Sequence, residues 1–280
     1  MVTRTFAGFS LSRPLVMGIV NVTPDSFSDG GQHDTAPTAE AHARALVAMG
    51  ADALDIGGES TRPGATEVSV SQECGRVLPV ITRLMGDIGV PISVDTRNAQ
   101  TAQRAVAAGA AMINDVSALS HDAAMADVVA KSGLPVCLMH AQGAPQTMQD
   151  DPRYGDVVLD VYDALACAID RAEAAGIARA TIIVDPGIGF GKKLEHNLAL
   201  LRNMSLFHGL GCPIMLGASR KQFIGTVSHA KNAADRVSGS VAVALAGIAQ
   251  GIQMVRVHDV AQTVQAIAVW SAAHGMRQAK

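Results

Sequence analysis

Along this chain, short apolar runs repeatedly stop at groups that can do chemistry. ISVD ends on Asp95, AMIND on Asn114 and Asp115, PVCLMH on His140 and TIIVD on Asp185, while MVRVH carries Arg256 and His258. LVMGIV runs into Asn21, ALDIG is followed by Glu59 and Ser60, and PIMLG by Ser219 and Lys221. Carboxylates and amides at fixed points can read the donor and acceptor edge of a polar ring. A guanidinium and an imidazole two residues apart share a strand face and suit an anion. Taken singly, an acid or Asn at a strand end caps the next helix or shapes a turn as readily as it serves a ligand. A whole ring of them needs a scaffold that brings the strand ends together.

The rhythm of the chain supplies one. Eight β-type runs recur, at 15–20, 53–57, 91–95, 111–115, 135–140, 181–185, 213–217 and 254–258. Between them lie Ala-rich segments with helical spacing, such as Val158, Tyr162, Leu165 and Ile169, with glycine stops at Gly50, Gly109, Gly133 and Gly176. Near-continuous apolar strands alternating with amphipathic helices mean parallel strands covered on their outer face. Eight units favour a single closed (β/α)8 barrel over residues 1–280, whose strand ends face one mouth where active sites of this fold sit. Residues 1–14, with Phe6 and Phe9, are expected to form an extension covering the closed end. Because strand side chains alternate, Asn114 and Asp115 cannot both point inward. Asn114 is the candidate for the mouth, and Asp115 for supporting structure.

Composition narrows the partners. The 280 residues carry 22 Lys plus Arg against 25 Asp plus Glu, a net charge of -3 that offers no basic stripe to nucleic acid or anionic lipid. A small molecule is the expected ligand. No run reaches the roughly 18 apolar residues of a membrane span, and the N-terminus lacks a signal segment. Cys74, Cys137, Cys167 and Cys212 are too dispersed for a short-spaced zinc pattern; their apolar neighbours suggest buried, reduced thiols and a cytoplasmic protein.

DPGIGFGKK at 185–193 fails both common phosphate-loop patterns, since position 186 is Pro and position 192 is Lys where each needs Gly. It reads as a flexible loop after the sixth strand. Ser219, Arg220 and Lys221 could open a helix whose positive end attracts an anion. Two long Gly- and Pro-rich stretches, 21–33 and 57–69, look like mobile lids or plain solvated connections. Trp270 and Val269 near the end fit an interface or the core equally well.

The motifs GIVNVTPDSFSDGG (18–31), DIGGESTRPGA (55–65), SVDT (93–96), INDVS (113–117), MHAQGAPQTMQ (139–149), DPGIGFGK (185–192), GASRKQFIG (217–225) and RVHDV (256–260) occur in that order. Through them the chain resembles the dihydropteroate synthases over nearly its whole length. The resemblance implies a TIM barrel that joins para-aminobenzoate to 6-hydroxymethyl-7,8-dihydropterin diphosphate, uses Mg²⁺ and forms a homodimer. Carried over by motif, Asn21 would help hold Mg²⁺ and diphosphate, and Arg256 and His258 would bind diphosphate. Asp95, Asn114, Asp185 and Lys221 would line the pterin pocket, with Asp95, Asp185 and Lys221 catalytic. Thr61, Arg62, Phe27 and Pro63 would close over para-aminobenzoate, whose carboxylate would lie near Ser219. The split of acids and cations suggests a dissociative path in which diphosphate leaves before the aniline attacks. With no insertion in its STRPG loop, the chain is expected to be a sulfonamide target. A methyltetrahydrofolate-binding methyltransferase shares a related barrel, but the STRPG and SRK motifs favour the synthase. Retention of Asn21, Asp95, Lys221, Arg256 and His258 argues against an inactive pterin-binding paralogue.

Overall fold

Side chains on a strand alternate between two faces, and both faces here are covered by protein, so the runs are apolar throughout. The computed structural model describes residues 5–6, 8–23, 35–59, 68–144 and 146–275. A small antiparallel hairpin of β1 (Thr5–Phe6) and β2 (Phe9–Ser10) precedes the main sheet. All eight predicted runs then form strands: β3 (Leu15–Asn21), β4 (Ala53–Gly57), β5 (Ile92–Asp95), β6 (Met112–Asp115), β7 (Val136–Met139), β8 (Ile182–Asp185), β9 (Met215–Leu216) and β10 (Met254–Val257). They pair in parallel in the order β8, β7, β6, β5, β4, β3, β10, β9. A single parallel bridge from Val184 to Ile214, with Val184 N donating to Pro213 O at 3.0 Å, brings the first and last of these together. The result is the expected barrel.

Around it run α1 (Thr35–Ala48), α2 (Val70–Leu84), α3 (Ala99–Ala107), α4 (Met125–Ser132), α5 (Val157–Ala174), α6 (Leu194–Arg202), α7 (Gln222–Ser228), α8 (Val237–Ala249) and α9 (Val260–Ala273). The glycines that marked helix stops each have left-handed backbone, with φ of 98° at Gly50, 112° at Gly109, 65° at Gly133 and 92° at Gly176. Among the described residues, no helix is long and apolar enough to cross a membrane.

The alternation creates two cores. Outward strand residues such as Val20, Leu54, Val94, Ile113, Leu138 and Val184 pack under the helices. Inward ones, Leu15, Met17, Ala53, Met112, Cys137, Ile183, Met215 and Met254, fill the barrel with Phe6. These positions fall near the strand starts, so the hairpin carrying Phe6 covers the end opposite the mouth. Val269 is 67% exposed, whereas its neighbour Trp270 is half-buried and stacks on His274 at 4.2 Å between ring centroids. Cys74, Cys137 and Cys212 are buried, but Cys167 is exposed, against expectation. On α5 it lies two residues from Leu165, on the side opposite the buried Leu165 and Ile169.

Phe6 fills the bottom of the barrel at 1% exposure, and deleting a buried aromatic ring costs about 3–5 kcal/mol. Urea unfolding should show a loss of that order for Phe6→Ala and a clearly smaller one for the half-buried Phe9→Ala.

Candidate active site

One step up the barrel from the Met-rich layer, the inward positions change character. Following the same alternation, β4 presents Asp55, β5 Asp95, β6 Asn114, β7 Met139, β8 Asp185 and β10 Arg256. Charges this deep must be paired. Arg256 Nε donates to Asp55 Oδ2 at 2.5 Å and Nη2 to Asp95 Oδ2 at 2.7 Å, while Asn114 Nδ2 donates to Asp55 Oδ2 at 2.8 Å. Asn114 Oδ1 and Asp55 Oδ1 are buried acceptors with no partner among the described residues. Burial pushes the Asp95 carboxyl up to about 7; Arg256 opposes that rise and Asp55 adds to it. Asp185 is also raised by burial, opposed by the bond its Oδ1 accepts from Gly187 N at 2.7 Å. The Arg256 guanidinium keeps its proton firmly, because Asp55 and Asp95 outweigh the cost of its burial.

These groups open into a small cavity walled by Asp95, Asn114, Asp185, Phe190, Lys221 and Arg256 among others. Lys221 Nζ lies 3.7 Å from the centre of the Phe190 ring, within cation–π range. A more open groove lies on the outside, lined by residues of α2 and α3 including Leu78, Arg83 and Arg104; none of the inward strand-end groups lines it.

Lys221 precedes α7, and the backbone before it is bent. Arg220 has a left-handed φ of 57°, unusual for a residue with a side chain. It is held there by its own N–H to Ser240 Oγ at 2.8 Å and by a two-point bond to Asp259, at 2.9 and 2.5 Å. Ser219 Oγ lies 3.0 Å from His258 Nδ1 and accepts from His258 N at 3.1 Å.

The 185–193 segment corrects an expectation, for it is fastened and not flexible. Gly187 sits at φ 69°, and a Cβ there would meet His140 O at 1.8 Å, so only glycine allows this approach. Gln149 Nε2 donates to Gly189 O at 2.6 Å, Tyr154 Oη to Gly191 O at 2.7 Å, and Lys192 Nζ reaches His140 Nδ1 at 2.9 Å.

Five of the residues chosen from the sequence, Asp95, Asn114, Asp185, Lys221 and Arg256, therefore meet at one cavity. Ser219 and His258, assigned to different ligands, are bonded to each other. Arg256, assigned to diphosphate, spends two donors on the deep carboxylates Asp55 and Asp95. Asn21 stands half-buried at the end of β3, and Phe27, Thr61, Arg62 and Pro63 lie outside the described residues. Asn21 offers one hard oxygen, and among the described residues no group of three His, Cys, Asp or Glu gathers to hold a metal. An amide oxygen is a ligand that Mg²⁺ accepts, and a single one would leave the rest of the shell to water and ligand oxygens. Asp55 was missed because it sits inside its run, although an acid in a strand buried on both faces is itself a signal. Phe190 and Lys192 were missed because a failed phosphate pattern left their segment unread.

Asp115, as expected, faces away. Its Oδ1 accepts from Ser117 N at 2.8 Å and Ser117 Oγ at 2.6 Å, and its Oδ2 from Leu119 N at 2.8 Å. These bonds hold a turn in which Ala118 and Leu119 both have positive φ, 50° and 65°.

A parallel eight-stranded barrel with buried carboxylates, an amide and two cations around a small cavity at the strand ends is a small-molecule enzyme of the (β/α)8 class. The sequence matches the pterin binding enzyme family over residues 17–258. It is 46% identical over 270 residues to dihydropteroate synthase of Escherichia coli strain K12, covering 96% of this chain and 95% of that protein. Dihydropteroate synthase of Xanthomonas albilineans with 4-aminobenzoic acid superposes with a TM-score of 0.91 at 49% identity, covering 97% of each chain. The same organism's enzyme with 7,8-dihydropteroate gives 0.88 at 45%, covering 96% of this chain and 97% of that one. The Yersinia pestis enzyme in a sulfonamide complex gives 0.91 at 46%, covering 95% and 96%. The chain belongs to the pterin-binding enzyme family and, within it, to the dihydropteroate synthases.

Removing Asp115 strands the donors of a strained turn, whereas the cavity keeps every wall. Asp115→Ala should lower stability by about 2–3 kcal/mol in denaturant unfolding while leaving kcat/KM of the folded enzyme close to wild type.

Proposed function

We propose that this chain joins para-aminobenzoate to 6-hydroxymethyl-7,8-dihydropterin diphosphate, forming 7,8-dihydropteroate and releasing diphosphate. The observation that carries this reading is the deep acceptor array. Asn114 lines the cavity beside Asp95 and Asp185, and its Oδ1 is buried with no partner among the described residues. Such an array matches the amino and amide N–H edge of a pterin, because a buried acceptor left unmatched costs free energy. Lys221 supplies a donor to the ring's acceptors. The 4-aminobenzoic acid and 7,8-dihydropteroate complexes of the Xanthomonas relative support the second substrate and the product.

The charges favour a dissociative path. Breaking the C–O bond sends its electron pair to diphosphate and leaves positive charge on the pterin methylene. The carboxylates of Asp95 and Asp185 line the cavity, where negative charge close to the methylene favours that cation. The para-aminobenzoate nitrogen then forms the new C–N bond and gives up a proton. Arg256 holds Asp55 and Asp95 in place; His258, fixed by Ser219, and Asn21 serve the leaving diphosphate at the rim. Mg²⁺, held by Asn21 with diphosphate oxygens and water, would supply charge neutralisation for that leaving group. Thr61, Arg62, Phe27, Pro63 and Ser219 are assigned to para-aminobenzoate. A homodimer is also proposed, as the resemblance to the family implies.

Incubation with both substrates and Mg²⁺ should yield 7,8-dihydropteroate, and single-turnover mixing without para-aminobenzoate should still release diphosphate. Failure of the first removes the reaction, and failure of the second removes the dissociative path. Asp95→Asn separates stability from chemistry. Burial holds the Asp95 proton to about pH 7, so the folded state binds a proton that the unfolded chain loses near its ordinary carboxylate value. Stability therefore falls as pH rises through that window. The melting temperature of the Asn variant, compared with wild type at the same pH, should be more favourable at about pH 8 than at about pH 5, while kcat/KM falls at least about tenfold. Sulfonamides, which mimic para-aminobenzoate, should inhibit competitively; inhibition unaffected by added para-aminobenzoate would place the drug elsewhere.

A further inference from the structure

Lysine is almost never buried without a charged partner, yet Lys192 is only 3% exposed and its ammonium bonds all go to neutral groups. Its Nζ donates to Phe190 O at 3.0 Å, lies 2.9 Å from His140 Nδ1 and reaches His140 O at 3.4 Å. Burial pulls His140 down to about 3, with Lys192 pushing the same way, so the imidazole is neutral and can accept. Burial also lowers the Lys192 amine to about 7, against the pull of Asp185. Keeping a lysine here is a sustained cost, and methionine would fit the volume with none of it.

What Lys192 fastens explains the cost. The flanking carbonyls of Gly189 and Gly191 are held by Gln149 and Tyr154, and Gly189 N by Asn197 Oδ1 at 2.7 Å. The carbonyl of Phe190 itself is held by Lys192, which ties it to His140 at the exit of β7. The Phe190 ring is a wall of the cavity and the platform beneath Lys221 Nζ, 3.7 Å from its centre. A Cβ on Gly189 would meet Lys221 Cδ at 2.9 Å, so the loop's backbone also abuts the Lys221 stem.

We propose that Lys192 is a positioning residue of the reaction: by clamping the Phe190 carbonyl against the end of β7, it sets the ring on which Lys221 rests and so where Lys221 meets the pterin. This rests on the pterin reading of the cavity. A double-mutant cycle tests it, measuring both turnover and calorimetric binding of 7,8-dihydropteroate. Lys192→Met should lower kcat/KM for the pterin diphosphate at least about tenfold and weaken product binding, while the same change in a Phe190→Ala background should cost less than about threefold. An equal loss in both backgrounds, or an unchanged kcat/KM in folded Lys192→Met, would overturn the proposal. A loss confined to melting temperature would do the same. If Lys192→Met does not fold, Lys192→Gln, which retains a donor for the Phe190 carbonyl, enters the same cycle and must show the same non-additivity in reduced degree. A wild-type chain that binds dihydropteroate but does not turn over would overturn the reaction and leave the cycle on binding to decide Lys192. A chain that does neither overturns both.

Discussion

The guanidinium of Arg256 lies between Asp55 and Asp95, at 2.5 and 2.7 Å, inside a barrel of hydrocarbon, and much of the molecule is arranged around making that tolerable. Removing one member of a buried pair costs about 3–5 kcal/mol, because the other charge remains desolvated. The cluster therefore needs walls that do not shift. Those walls are the parallel strands, the Met-rich layer below and Phe6 beneath that. Asn114 completes the cluster by bonding Asp55, which leaves its own oxygen buried without a partner among the described residues, in a residue that walls the cavity. Structure and recognition are thus served by opposite ends of one amide.

A second tier stands on the first and is built from backbone. Lys221 and Phe190 come from connections after β9 and β8, and neither connection is a regular element at that point. Each is held by side chains that never line the cavity: Arg220 with Asp259 and Ser240 on one side, Lys192, Gln149, Tyr154 and Asn197 on the other. Left-handed backbone at Arg220 and Gly187 is what lets these connections turn so sharply. Strain of this kind persists only where the surroundings over-determine it.

Much of this was legible in the sequence, for a physical reason. A parallel strand buried on both faces reads as an apolar run, and a polar residue at its end has few places to go, so Asp95, Asn114, Asp185 and Arg256 stood out. Alternation also separated Asn114 from Asp115. The same alternation applied within a run would have found Asp55, two residues after Ala53 and therefore on the inner face. Lys192 and Phe190 carry no such mark, because their placement depends on contacts with the β7–α5 connection that no local pattern encodes. The pairing of Ser219 with His258 likewise depends on the register of β9 beside β10. Cys167 shows the converse: apolar neighbours in sequence do not bury a residue on the wrong side of its helix.

The shortest strand of the barrel gives it a seam. β9 contributes two residues, and the described hydrogen bonding closes the ring between β8 and β9 through one bridge at Val184 and Ile214. Asp185 lies on one lip of that seam, and Ser219 and Lys221 extend from the other. The ladder itself couples these lips weakly, while the Lys221 ammonium over the Phe190 ring spans them above the sheet. A ligand gripped by Asp185 on one side and Lys221 on the other would act as a staple across the joint. Occupancy would then be felt as mechanical closure of the whole cylinder, with part of the binding energy stored as resistance of the scaffold to opening.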